Sequence, residues 1–132
     1  MKGKLWISRR WIIAKYFNEE EFACKYTGEN EIKYKFIERL DELREACGFP
    51  FVITSGYRDK THPVEAKKAK PGTGTHAQGI AADIKVNNGL QRYKIVQEAI
   101  RLGFTGIGVA RGFVHVDIRD ADDTTPFVMW TY

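Results

Sequence analysis

Apolar residues at Ile32, Phe36, Ile37, Leu40, Leu43 and Cys47 recur at steps of three and four, the spacing that gathers them on one side of an α-helix. Gly48 and Pro50 stop that helix. The same period returns at Leu90, Tyr93, Val96, Ala99, Ile100 and Leu102, and Gly103 closes this second helix. Between the helices, Phe51 to Ser55 is a β-rich run ending at Gly56, and Ala81 to Val86 is another, ending at Asn87-Asn88-Gly89. Thr105 to Val109 and Phe113 to Ile118 read as two strands joined by a turn around Arg111-Gly112, and Phe127 to Tyr132 adds an edge segment. A short helix over residues 18 to 25 starts at Asn18, with acids in its first turn and Phe22 facing inward. The expected class is α+β: a small, mainly antiparallel sheet with two principal helices.

Residues 56 to 80 hold four Gly and two Pro and form the long loop of the molecule, the kind of segment that carries function in a small domain. At 132 residues the whole chain, 1–132, is expected to be one domain with a core of ordinary size. Its 43% hydrophobic and 29% charged residues exclude the disordered and fibrous classes. No repeat period is present, and no window approaches the roughly 18 apolar residues of a membrane span. Ser8, Arg9, Arg10 and Lys15 interrupt the apolar residues at the start, so no signal peptide is expected. Synthesis in the cytoplasm, with separate release for any action outside, follows from that reading. The net charge of +4 suits an anionic partner but is too scattered to imply nucleic acid. Cys24 and Cys47 do not make a CxxC pair and are expected in the core as small hydrophobes, with a single disulfide between them open.

Three histidines remain: His62, His76 and His115. His115 and Asp117, two apart on a strand, project from one face, and a turn and the start of a strand separate Asp83 from His76. Imidazole and carboxylate are the ligands of catalytic zinc, where three protein groups leave a fourth position for water. His76, Asp83 and His115 would supply that number; on pattern alone, ordinary His–Asp hydrogen bonds explain the same residues.

Ser55-Gly-Tyr-Arg58, then Gly74-Thr-His76-Ala-Gln-Gly79-Ile-Ala81-Ala-Asp83, then His115-Val-Asp117 together resemble the zinc D-alanyl-D-alanine carboxypeptidase family of peptidoglycan peptidases. That family carries SxHxxGxAxD followed by a histidine on a C-terminal strand. The likeness runs from about Phe17 to Arg119 and extends to its short phage-type members. It implies a hedgehog/D-Ala-D-Ala peptidase-like fold with zinc on the sheet face, held by His76, Asp83 and His115. It also implies that Arg58 lies over the metal and steadies a substrate carboxylate or an anionic intermediate, as a planar guanidinium does well.

Three positions depart from the family pattern. The signature serine is Gly74, so Thr73 or Thr75 must supply any hydroxyl there. The glutamate that serves as general base in well-known branches is replaced by Gly112 or Val109, and a histidine found in others is Phe113. Asp117 is the first candidate for base, with the orientation of a ligand imidazole as its other role. His62 is a candidate to protonate the leaving amine, and Glu65 is a third choice. Lys60, Lys67, Lys68 and Lys70 read as a solvated loop, Asp120, Asp122 and Asp123 as a solvated tail, and Trp6, Trp11, Tyr16 and Phe17 as core.

The resemblance implies a zinc peptidase that hydrolyses peptidoglycan stem peptides; a monomer with no nucleic-acid partner and no membrane insertion is expected. A phage or prophage lysis enzyme, or a virion-associated one, is the expected setting. An L-alanyl-D-glutamate endopeptidase is favoured over a D,D-carboxypeptidase, and a non-catalytic zinc-containing wall-binding module is the rival that the missing glutamate keeps open.

Overall fold

The computed structural model describes residues 3–7, 10–120 and 127–132. An antiparallel hairpin, β1 (Gly3–Ile7) and β2 (Arg10–Ala14), precedes a 3-10 turn at Glu19–Phe22. The hairpin has no counterpart in the sequence reading, because Ser8, Arg9 and Arg10 break its alternation. The expected short helix is that one turn. Glu21 accepts from the Asn18 amide, and Phe22 is fully buried as expected.

Helix α1 (Tyr34–Cys47) presents Phe36, Ile37, Leu40, Leu43 and Cys47 to the core and ends at Gly48, whose φ of 77° only glycine adopts freely. Ile32, the first residue of the predicted stripe, is buried just ahead of the helix. After it come β3 (Ile53–Ser55), a short helix α2 (Pro63–Ala66) inside the long loop, β4 (Ala81–Lys85) and α3 (Gly89–Arg101). The last strands are β5 (Gly106–Val109), β6 (Phe113–Asp117) and β7 (Val128–Thr131). Helix α3 departs from its predicted stripe: Ile95, Glu98 and Ala99 are buried, while Leu90, Tyr93 and Ile100 face outward. Its neighbours α1, β5 and β6 cover one side of it, where Ile95 and Ala99, one turn apart, are fully buried and Val96 and Leu102 pack half-buried against the core.

The sheet order is β3-β4-β6-β5-β7, antiparallel except for the parallel pair β5–β7. Period-two alternation divides its faces. Ala82, Ile84, Ile107, Val114 and Val116 join α1 and α3 in the core, and Asp83, His115 and Asp117 point the other way. Register sets Asp83 opposite His115 and Ala81 opposite Asp117. Beyond β6, Gly108 pairs with His115 and Gly106 with Asp117, and Trp130 of β7 pairs with Gly108.

Both cysteines are buried and unbonded, in keeping with a role as small core hydrophobes. Phe17 is buried and Tyr16 half-buried against the core. The side chains of Trp6 and Trp11, and Asp122 and Asp123, lie outside the described residues, and Asp120 is exposed. Among the described residues no helix is long and apolar enough to cross a membrane.

Candidate metal centre

The loop between β3 and β4 brings His76 back over the sheet. Gly56 lies so close to the Phe22 backbone that a Cβ there would come within 2.7 Å of it. The loop then runs on with Tyr57 N–H donating to Phe22 O at 2.8 Å. Arg58 N–H donates to His76 O at 3.2 Å, tying the two ends of the loop together. A tight turn follows, in which Gly79 N–H returns to His76 O and Gly79 takes a φ of 74°.

His76 Nδ1–H has one acceptor, the Gly56 carbonyl at 2.7 Å, which leaves Nε2 as the nitrogen with a lone pair. His115 Nε2–H donates to Asp117 Oδ2 at 2.7 Å, which leaves Nδ1 bare. Those two bare nitrogens face each other at 3.2 Å, and Asp83 Oδ1 lies 3.2 Å from the first and 3.0 Å from the second. Three lone pairs thus converge in a buried space, with no proton of their own between them. A cation is what such a cluster accepts, and two imidazoles with one carboxylate are a zinc donor set.

Burial opposes ionisation of Asp83, yet the two imidazoles outweigh it and hold its carboxyl well below the usual carboxylate range. Burial also pulls His76 down, below the ordinary imidazole value. For His115 the carboxylates of Asp117 and Asp83 overcome burial and raise the pKa.

The cluster floors a cavity of about 490 Å³. Arg58 enters from the loop, its Nε donating to Ser55 Oγ at 3.0 Å and its Nη2 lying 3.3 Å from Asp83 Oδ2. Asp117 lies on the far side of the His115 ring and is fully buried, receiving Arg119 Nε and Nη2 at 2.9 and 2.6 Å. Of the two roles expected for Asp117, that position suits orienting the imidazole. Among the described residues, Asp83 is the only carboxylate that lines the cavity.

His62, expected to protonate the leaving amine, stands outside the cavity lining, at the start of α2. Its Nδ1 accepts from Val64 N–H at 3.1 Å and caps α2, and its ring packs edge-on against Tyr26. Changing His62 to alanine is expected to cost about 1 kcal/mol of stability and to leave turnover unchanged; denaturant titration beside a peptide-cleavage assay checks this.

Glu65 is fully buried and is taken up by the loop: its Oε1 accepts from Gly72 and Gly74 N–H at 3.0 and 2.9 Å, and Lys68 pairs with Oε2 at 2.9 Å. The Glu65–Lys68 pair fills the space beside Gly74, where a Cβ would crowd Lys68 Nζ and meet Glu65 Oε2 at 2.7 Å. Of the threonines proposed to replace the signature serine, both line the cavity, but the Thr73 hydroxyl is spent on Lys70 O at 2.6 Å. Lys60, Lys67 and Lys70 are solvated as expected, whereas Lys68 reaches the cavity.

Burial alone would raise the Glu65 pKa, and the Gly74 and Gly72 amides with Lys68 outweigh it to hold it below the ordinary value. A depressed folded-state pKa gives stability that is present above the unfolded carboxyl value and is lost as pH falls through the folded one. Denaturation midpoints are therefore expected to drop as pH falls below about 4.3, and Glu65→Gln should flatten that acid limb.

Phe113, Arg119, Trp130 and Tyr132 form a wall of the cavity that none of the motifs above contains. A signal was present: Gly106-Ile-Gly108 on β5 leaves the site face of a strand bare at alternate positions, and Phe127 to Tyr132 is aromatic where a tail would be polar.

A family model described as Peptidase M15 matches residues 15–117. No curated protein matches the chain.

Proposed function

The chain belongs to the peptidase M15 family, and from that premise we propose that it hydrolyses an internal peptide bond in the stem peptides of bacterial peptidoglycan. The observation that carries the reading is the convergence of His76 Nε2, Asp83 Oδ1 and His115 Nδ1, each within 4.8 Å of the others. Zinc held there supplies a Lewis acid for the scissile carbonyl and lowers the pKa of water toward neutrality.

The protein's own groups do the rest. Asp117 holds the Nε2 proton of His115, so that ring presents Nδ1. The Gly56 carbonyl does the same for His76. Arg58, 3.3 Å from Asp83, stands where negative charge on the reacting carbonyl or on a nearby substrate carboxylate is offset. Cleavage by water needs no enzyme nucleophile.

An internal bond is supported by the charge pairing of the cavity. Arg58 is paired with Asp83 at 3.3 Å, Lys68 with Glu65 at 2.9 Å and Arg119 with Asp117 at 2.6 Å. Each cation among the described cavity residues already has a carboxylate partner, so none is set aside for a chain-terminal carboxylate alone, and Arg58 is shared between Asp83 and the substrate. The phage or prophage lysis setting rests on the likeness of the motifs to short phage-type members. Incubating the zinc-loaded protein with purified stem peptides and weighing the products tests the bond: fragments from L-Ala-D-Glu cleavage are expected, and loss of a terminal alanine alone would overturn the endopeptidase reading.

A second reading, a zinc-containing module that binds the wall without cutting it, is favoured by the lack of a second carboxylate on the described cavity surface. Zymography of the native chain and His115→Ala decides between them. Lysis only by the native chain supports the peptidase, and wall binding without lysis by either supports the module.

A further inference from the structure

The family match ends at residue 117, yet two side chains beyond it stand behind the metal centre. We propose that Arg119 and Trp130 are positioning residues: Trp130 clamps the Arg119 guanidinium on Asp117, and Asp117 thereby fixes the ring of His115 toward the metal. The inference rests on the metal centre proposed above and adds the C-terminal strand to it.

Asp117 is fully buried and takes four donors: His115 Nε2 at 2.7 Å, Arg119 Nε at 2.9 Å, Arg119 Nη2 at 2.6 Å and the Arg119 amide at 3.1 Å. The two-pronged guanidinium sets the plane of the carboxylate, which a single point charge does not do. The plane in turn sets the direction of the bond to His115.

Arg119 is itself held, with its Cζ 5.0 Å from the centre of the Trp130 ring, a cation–π distance. The indole also touches the imidazole of His115, ring centres 5.1 Å apart. Strands β6 and β7 are not neighbours, since β5 runs between them and holds them about 9.6 Å apart at two strand spacings. The rings meet because the residue between them in the register row is Gly108, where a Cβ would fall 2.7 Å from indole Nε1. Gly106 clears the neighbouring place, where a Cβ would fall 2.6 Å from Asp117 Cγ. The two glycines of β5 are thus hollows, one for the carboxylate and one for the indole.

Zinc affinity, measured on the metal-free chain by competition with a chromophoric chelator, tests this together with the visible absorption of the cobalt-loaded protein. Trp130→Leu and Arg119→Met are each expected to weaken zinc binding roughly 10- to 100-fold and to change the cobalt spectrum. Trp130→Phe, which keeps a ring face, and Arg119→Lys are expected to restore part of both. Native affinity and spectrum in folded Trp130→Leu would overturn the proposal, and so would Trp130→Phe binding zinc no better than Trp130→Leu. Arg119→Met removes the partner of a buried carboxylate; should it fail to fold, the two Trp130 variants on the edge strand decide alone. A native chain that takes up no zinc would sink the metal centre itself, a different result from native uptake that the variants leave unchanged.

Discussion

Asp83→Ala is expected to lose zinc and, with it, peptide cleavage. Asp83 is the one carboxylate of the His76–Asp83–His115 cluster, seated on β4 directly opposite His115, with Oδ1 about equidistant from the two bare imidazole nitrogens. Its other oxygen faces Arg58 at 3.3 Å, so the substitution also leaves a guanidinium beside the site with no counter-charge. Structural zinc sites bind with about 10–16 kcal/mol over four ligands, or roughly 3 kcal/mol for each. Losing one corresponds to about a hundredfold fall in affinity or more. Elemental analysis after dialysis should find about one zinc in the native chain and little in Asp83→Ala. Asp83→Asn, which keeps the shape and drops the charge, should fall close to the alanine variant. Full zinc in either would mean that the cluster is a hydrogen-bonded group and the metal sits elsewhere.

Gly79→Ala is expected to be the most damaging single substitution outside the ligands. Gly79 has a φ of 74°, where a side chain is strained, and its Cβ would press on the Glu31 carbonyl and lie 3.1 Å from Ile32 Cα. Those are backbone atoms and cannot swing aside. The same residue accepts from Lys33 N–H at 2.8 Å and donates to His76 O, so it ties the entry of α1 to the turn that presents His76. Strain and overpacking of this kind cost about 1–3 kcal/mol each. A loss of about 3 kcal/mol or more is expected in denaturant unfolding, together with weaker zinc binding. A chain that unfolds at the native midpoint and binds zinc normally would show that the turn relaxes without strain.

Much of the site was readable along the chain. The HxxGxAxD run of His76 to Asp83 and the period-two pair His115 and Asp117 are local patterns, and local patterns survive without a fold. The α1 stripe was readable for the same reason: Phe36, Leu40 and Leu43 need only helical spacing to share a face. Elsewhere distant residues decided. Leu90, Tyr93 and Ile100 fit the helical period, but they lie outside the side of α3 that α1, β5 and β6 cover. His62 sits four residues from Arg58, yet α2 turns it into a helix cap.

Composition and spacing by themselves determined an α+β chain whose metal, if any, is held by histidine and aspartate and not by cysteine, because residue types and their periods are properties of the chain. Tertiary structure alone decided which nitrogens are bare, which carboxylate lies between them and which bonds the far nitrogen of His115, and why β5 is built from Gly-Ile-Gly. Each depends on the strand order β4-β6-β5-β7, which stacks Asp83, His115, Gly108 and Trp130 in one row. Hydrogen bonding across a sheet joins residues from separate strands, and no spacing along the chain records which strands will lie side by side.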